Sequence, residues 1–218
     1  MLKIVVYDSG YGGELFADKL QAELPVEVIR VIDWRNAETI LKSKKLARRT
    51  AESALRPYLE RVDLVVFANH LLSLTSLKYF QRRYQKQKFI GFKIEKPSTF
   101  LKHNVLILTT EALTKTIEYQ NYLFHLGRKT KTLTLDDWPA KIDDGELKQE
   151  EINETLKLFL ARSAFNPGEV VLACSQFNDI YPELKKFFGT KIRIYDSFNQ
   201  AFSETCKTLK LRGGTGKK

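Results

Sequence analysis

Two stretches of similar sequence each end in side chains that can take part in chemistry. VVFANH occupies residues 65–70 and VVLACS occupies residues 170–175, so in each case an apolar run leads to a small residue and then to polar ones. Because ligands in open α/β sheets bind beyond the carboxyl ends of the strands, we expect Asn69 and Cys174 at equivalent points of two related halves. The thiol of Cys174 can take up and release a proton, whereas the amide of Asn69 only forms hydrogen bonds near neutral pH.

A third segment, DSGYGG at residues 8–13, follows the first apolar run of the chain. It offers the Asp8 carboxylate, the Ser9 hydroxyl, and glycines that let backbone N–H groups approach an anion at a helix N-terminus. The segment does not match the dinucleotide-binding fingerprint, since Leu15 stands where the third glycine is required. The alternative interpretation is a plain strand-to-helix turn that Ser9 or Asp8 caps.

His70 follows Asn69 directly and is a further candidate acid or base. An ordinary histidine titrates at a pKa of ~6.5, so this side chain can act as an acid or base near neutral pH where the Asn69 amide cannot. The alternative is structural, because a histidine at a strand-to-helix junction often caps the helix or binds a backbone carbonyl group.

Strands and helices must alternate to position these side chains. In the first helix, Phe16, Leu20 and Leu24 form one apolar face, and Pro25 ends it. Such alternation is typical of parallel sheets that are covered by helices and joined by right-handed crossovers. The predicted strands lie near residues 3–7, 26–32, 62–68, 88–92, 104–108, 130–135, 169–173 and 191–195.

We therefore predict an α/β fold with two pseudo-symmetric parallel-sheet domains that face a central cleft. Residues 1–95 and 190–218 are assigned to the first domain and residues 96–189 to the second, because the final strand and helix are expected to return to the first half. The chain is expected to cross between the halves at residues 94–98. Residues 211–218 are expected to be a flexible basic tail.

Length and composition restrict the class of protein. The chain has 218 residues, 43% of them hydrophobic, and no run reaches the ~20 apolar residues of a membrane span, which favours a soluble cytoplasmic protein. Cys174 and Cys206 lie far apart and indicate neither a disulfide framework nor a zinc site. Cys206 is expected to be a small buried hydrophobic residue.

The net charge of +10 favours anionic partners. The basic residues gather in residues 42–49, 79–89 and 207–218. Because such runs are usually solvated helix faces, a small acidic ligand is the primary expectation. Nucleic acid is an alternative partner without a supporting motif, and a homodimer is left open.

Taken together, these blocks resemble the aspartate/glutamate racemase family, and the glutamate racemases within it most closely. Residues 8–13 are similar to the family's DSGxGG, and VDLVVFANH at residues 62–70 is similar to its VDxxxxACN strand. Three later blocks, at residues 108–119, 173–176 and 195–197, are similar in order to its GTxxTxxSxxY, GCTH and IDS segments.

The resemblance implies a racemase that needs no cofactor. The family's chemistry uses two thiols on opposite faces of the substrate α-carbon, one removing a proton and the other supplying one. Cys174 matches the second catalytic cysteine, whereas the position of the first falls on Asn69. Gln176 stands where the family has a histidine, so the thiol loses a neighbour that assists its ionisation.

Position and resemblance together give a set of candidate site residues. The candidate catalytic residues are Cys174, His70 and Asp8, and the candidate substrate-binding residues are Ser9, Asn69, Thr110, Ser175 and Gln176.

Several functions remain as alternatives. The first is an isomerase-type enzyme for an acidic amino acid or a related α-carboxylate, with Cys174 as the single thiol acid or base. One-cysteine members of the same superfamily, such as arylmalonate decarboxylase, suggest a lyase in which a lone thiol protonates a carbanion. A binding or regulatory protein that has lost the chemistry is the other alternative to an enzyme.

Overall fold

The strands of this protein form two separate parallel sheets. The computed structural model describes residues 1–37, 43–94, 104–126 and 129–211. All the strands predicted from the sequence are present there within a few residues of their expected positions, and the predicted α/β class with parallel sheets is confirmed. The strands are β1 (Leu2–Asp8), β2 (Val26–Ile32), β3 (Leu64–Phe67), β4 (Phe89–Gly91), β5 (Val105–Thr109), β6 (Thr130–Thr134), β7 (Glu169–Leu172) and β8 (Arg193–Tyr195).

Helices follow most of these strands. None of those in the described ranges is long and apolar enough to cross a bilayer. The α-helices are α1 (Gly12–Glu23), α2 (Lys44–Leu55), α3 (His70–Arg83), α4 (Glu111–Thr114), α5 (Ile117–Leu126), α6 (Trp138–Asp143), α7 (Gln149–Ser163), α8 (Tyr181–Phe188) and α9 (Ser197–Leu209), with short 3-10 turns at Trp34–Asn36 and Gln176–Asn178.

The chain divides into two compact units with the same topology. The first unit consists of the described residues up to Lys93 and those from Phe198 onward. The second unit consists of the described residues of Ile94–Ser197. The first sheet has the strand order β2-β1-β3-β4, and the second has the order β6-β5-β7-β8. Every pairing is parallel, so the carboxyl ends of all strands in a sheet meet at one edge.

Side-chain alternation along β1 explains why helices cover both faces of the first sheet. Ile4 and Val6 pack on one face with residues of α1 and α9, including Cys206, which is buried as predicted. Val5 and Tyr7 pack on the opposite face with residues of α2 and α3. The first unit is therefore a three-layer structure, with one pair of helices on each side of the sheet.

The second unit is built around the central strands β5 and β7. Leu106 and Leu108 of β5 lie in one core with Val170 and Leu172 of β7. Helices α6, α7 and α8 cover this core, and Trp138 at the start of α6 is its largest fully buried side chain.

The last strand differs from its predicted assignment. We expected residues 190–218 to belong to the first domain, but β8 pairs with β7 in the second sheet. Ile194 packs into the second core, and the Tyr195 hydroxyl donates a hydrogen bond of 2.8 Å to Glu169 Oε1. Among the described residues after β8, those of α9 and Leu211 pack against the first unit. The chain therefore returns to the first unit one strand later than expected.

Two sequence predictions fall largely outside the described residues. Of the expected crossing at residues 94–98, the structure describes Ile94 alone. Of the expected basic tail at residues 211–218, it describes Leu211 alone.

Candidate active site

The two sheets end in the same backbone hydrogen-bond pattern. In the first unit, Ala68 N donates to Tyr7 O at 2.9 Å, directly after β3. In the second, Ala173 N donates to Leu108 O at 2.9 Å, directly after β7. The chain thus leaves the two sheets at equivalent points.

Asn69 and Cys174 follow these two alanines. They occupy equivalent positions in the two units, as the similar strand sequences predict. The two units therefore differ in chemistry at a shared structural position, since one presents an amide and the other a thiol.

The amide of Asn69 is held on both of its sides. Its Oδ1 accepts a hydrogen bond of 2.9 Å from Leu72 N, so Asn69 is the N-cap of α3. Its Nδ2 donates to Asp8 Oδ1 and to Ser9 Oγ, each at 3.1 Å. Three predicted site residues are therefore joined by one side chain, which ties the end of β1 to the end of β3.

Asp8 is almost fully buried, with 1% of its surface exposed. Its Oδ1 also accepts a bond of 2.7 Å from Ser9 N. Helix α1 comes so close that a Cβ atom added at Gly13 would lie 2.4 Å from the Asp8 Cβ. The glycine of this segment therefore makes room for the Asp8 side chain beside a helix N-terminus, where the helix dipole favours negative charge.

Asp33, after β2, belongs to the same strand-end region of the first unit. Its carboxylate accepts hydrogen bonds from Tyr7 Oη at 3.3 Å and from Asn36 Nδ2 at 2.9 Å. Burial and the nearby carboxylate of Asp33 raise the pKa of Tyr7 far above its usual range. The candidate set from the sequence lacks Asp33, although an acidic residue three positions before an asparagine at a strand end is a recognisable turn signal.

His70 is buried in the first turn of α3, with 4% of its surface exposed. Its ring packs against Phe92 with centroids 5.5 Å apart, and neither ring nitrogen has a hydrogen-bond partner among the described residues. Burial lowers the pKa of His70 to about 3, so the ring is neutral near pH 7. The structural interpretation of His70 as a helix cap or a ligand of a backbone carbonyl is not found in the described part of the chain, since both roles need a hydrogen bond from the ring.

In the second unit the thiol lies beside an amide oxygen. Cys174 is partly exposed, and its Sγ donates a hydrogen bond of 3.1 Å to Gln176 Oε1. The same oxygen accepts a bond of 3.0 Å from Ser175 Oγ. Cys174, Ser175 and Gln176 thus form one cluster, in which the acceptor oxygen cannot remove the thiol proton.

Asn178 supports this cluster, although the sequence did not single it out. Its Nδ2 donates to Ser175 O at 2.8 Å and to Ser197 Oγ at 3.2 Å. It therefore links the turn that carries the thiol to the first residue of α9. The only sequence signal was its place in a short polar turn after a strand.

Thr110 lies at the carboxyl end of the neighbouring strand β5 and precedes α4. The side chain of its neighbour Thr109 is buried and donates a bond of 3.3 Å to Ala173 O. These contacts place Thr110 beside the strand that delivers Cys174. No three His, Cys, Asp or Glu side chains in the described ranges are grouped in a way that could hold a metal ion.

Comparison with known proteins agrees with this arrangement of strands. No model of a protein family matches the chain. The glutamate racemase of Campylobacter jejuni is 22% identical over 204 residues, which cover 90% of this chain and 81% of the relative. The glutamate racemase of Helicobacter acinonychis is 24% identical over 199 residues, which cover 86% of this chain and 76% of the relative.

A solved structure shares the whole fold. The crystal structure of Escherichia coli glutamate racemase superposes with a TM-score of 0.80 at 19% identity and covers 100% of this chain and 85% of the other. The relatives are similar over most of their length, and the fold is shared throughout. This chain is therefore related to the aspartate/glutamate racemase family, as its sequence motifs predict.

Proposed function

We propose that the protein is a glutamate racemase-like enzyme that needs no cofactor and uses Cys174 as its single thiol acid or base. The observation that carries this proposal is the asymmetry of the strand ends. The thiol follows β7, whereas the equivalent position after β3 holds Asn69, whose amide is committed to Asp8, Ser9 and the cap of α3.

A single thiol can exchange a proton on one face of a substrate carbon. As a thiolate, Cys174 would remove the α-proton, leaving the electron pair on the α-carbon and forming an S–H bond. When the thiol exchanges with solvent and returns a proton to the same face, the substrate regains its original configuration. Full racemisation requires a second acid or base for the opposite face.

The proposed substrate is an acidic amino acid or a related α-carboxylate. The matched relatives are glutamate racemases, and the E. coli structure is a complex with L-glutamate. The hydroxyl groups of Ser9, Thr110 and Ser175 can donate hydrogen bonds to carboxylates. We propose that Ser9, Asn69, Thr110, Ser175 and Gln176 contribute to binding, and that Asp8 acts in the site as a carboxylate.

The test is α-proton exchange in heavy water, followed by NMR, on each enantiomer of glutamate and aspartate. We expect one enantiomer to exchange far faster than the other, with little net racemisation. Cys174→Ala should abolish the exchange. Cys206→Ala is the matched control, because it removes the buried thiol of α9 and should leave the exchange unchanged.

Two outcomes would change the assignment. If both enantiomers exchange equally, a second acid or base exists, and loss of one direction in His70→Ala would identify it as His70. If calorimetry shows that the dicarboxylate binds but neither enantiomer exchanges, the racemase-like activity is excluded for that substrate.

A second candidate is a decarboxylase for malonate-type acids. It is favoured by the hydrogen bond that the Cys174 thiol donates to Gln176 Oε1, because a thiol in this bond carries the proton that a decarboxylase must supply. The bond between the α-carbon and a carboxylate would break, carbon dioxide would leave, and the thiol proton would form the new C–H bond. The thiolate would then regain a proton from solvent. Release of carbon dioxide from a substituted malonate, lost in Cys174→Ala and retained in Cys206→Ala, would support this candidate over the first.

A further inference from the structure

The positive charge of this chain is concentrated in one segment. Residues 44–88 contain eleven lysine and arginine residues and three acidic ones, so they carry +8 of the total charge of +10. The rest of the chain is therefore close to neutral.

The fold places this segment's two helices side by side on one face of the first sheet. Their apolar residues pack against Val5, Tyr7, Val65 and Phe67 of the sheet. The two helices are also joined to each other by a hydrogen bond of 2.8 Å from Arg48 to Thr75 O. Two basic runs about thirty residues apart in sequence thus share one helical layer.

The outer surface of α2 and α3, together with Arg56 at the end of α2, is here called the basic surface. Its five exposed cations are Lys45 and Arg49 on α2, Arg56 directly after α2, and Lys78 and Arg82 on α3. The cations of α2 and its end form a row that runs from Lys45 to Arg56. These two residues are eleven positions apart, so the row is about 16 Å long at 1.5 Å per residue. It would face about five phosphates of one strand of a duplex, which are spaced by about 3.4 Å along its axis.

The opposite helical layer of the same sheet has the opposite charge. Helices α1 and α9 contain four acidic residues and two lysines. Charge is therefore distributed unevenly in the first unit, with a basic helical layer on one side of the sheet and an acidic helical layer on the other.

We propose that the basic surface binds the phosphate backbone of a nucleic acid duplex without reading its sequence. Arginine forks pair with phosphate oxygens, and three of the five exposed cations named on the basic surface are arginines. An anionic membrane fits less well, because the apolar faces of α2 and α3 are buried in the sheet and Leu46, 38% exposed, is the largest exposed apolar side chain described on these two helices.

The test measures binding of the intact protein to two DNA duplexes of unrelated sequence by fluorescence anisotropy at several salt concentrations. We expect equal affinities for the two sequences. If the five named cations each neutralise one phosphate, a plot of log affinity against log salt should have a slope of about −4.5, a loss of roughly 500-fold between 50 and 200 mM salt.

Charge reversal locates the surface. The double substitution Arg49→Glu with Lys78→Glu should weaken binding at least about tenfold and reduce the slope by about 2, since it removes two phosphate contacts. The matched control is Lys157→Glu with Lys207→Glu, two exposed helix positions outside the basic surface, which changes the net charge equally. This control should retain most of the affinity, and circular dichroism should show both proteins folded.

Three results would overturn the proposal. These are no binding at 50 mM salt, equal weakening by both double substitutions, and binding to phosphatidylserine vesicles without binding to DNA. The substitutions lie outside the candidate active site, so the result is independent of the proposed enzymatic activity.

Discussion

Asn69 uses both N–H groups and the carbonyl oxygen of its amide to hold two strand ends and a helix start together. These bonds give the position a structural role, and an amide does not exchange a proton as an acid or base near neutral pH. A thiol at Asn69 would restore the second acid or base that two-thiol racemisation requires, but it would lose these hydrogen bonds.

Asn69→Cys should therefore have two opposite effects. We expect a loss of stability of about 1–3 kcal/mol, because Asp8 and Ser9 lose their bonds to the amide, and a gain in racemisation because a second thiol is present. Asn69→Ser is the matched control, since serine can cap α3 but cannot act as the second thiol. Urea unfolding and polarimetry measure the two effects, and equal racemisation by both variants would contradict the prediction.

Gln176 supplies the oxygen that accepts the Cys174 thiol proton in a hydrogen bond. In Gln176→His, an imidazole replaces that amide and can assist ionisation of the thiol. We expect alkylation of Cys174 by iodoacetamide, measured in a Cys206→Ala background, to become fast at a lower pH than in the parent protein. Gln176→Leu removes the acceptor without adding a base, so a similar shift in that variant would refute the explanation.

At the scale of elements, Gly13 shows how a helix is fitted to the site. Alanine is normally better than glycine in a helix by about 1 kcal/mol, but a Cβ at Gly13 would lie 2.4 Å from the Asp8 Cβ. We expect Gly13→Ala to destabilise the protein by about 1–3 kcal/mol, because α1 must move away from β1. Gln21→Ala, at an exposed position of α1, should change stability by less than about 0.5 kcal/mol in the same urea titration.

The elements themselves could be predicted because their patterns are local. Apolar runs bounded by turns located all the strands in the described ranges, and the similar sequences at 65–70 and 170–175 indicated equivalent strand ends. The assignment of β8 could not be read in this way, since a short strand such as Arg193–Tyr195 fits either sheet until its pairing with β7 is known. The bonds between Asp33 and Tyr7 and between Asn178 and Ser197 join segments that are distant in sequence, which no single stretch of sequence reveals.

At the scale of the whole molecule, one topology is used twice with different chemistry at its strand ends. The first unit has Asp8, Ser9 and Asn69 joined by hydrogen bonds, and the second has Cys174, Ser175 and Gln176. The family relationship explains the shared fold. Because one strand end carries an amide and the other a thiol, proton exchange on one face of a substrate is the reaction to test for the proposed function.

The burial of His70 makes the free energy of unfolding depend on pH in acid. Its pKa is about 3 in the folded protein, whereas an unfolded histidine titrates near ~6.5. As the pH falls below 6.5, the unfolded chain binds a proton that the folded protein does not, so the free energy of unfolding decreases until the pH approaches 3. Between pH 8 and pH 5 this single group should lower it by about 2 kcal/mol.

His70→Leu removes both unpartnered ring nitrogens and with them this proton linkage. Carboxylates titrate in both proteins, so the informative quantity is the difference between the two free energies of unfolding, measured with urea from pH 8 to pH 4. We expect this difference to be constant above pH 7 and to change in favour of the leucine variant as the pH falls. A difference that stays constant over the whole range would show that the ring is equally able to take up a proton in the folded and unfolded states.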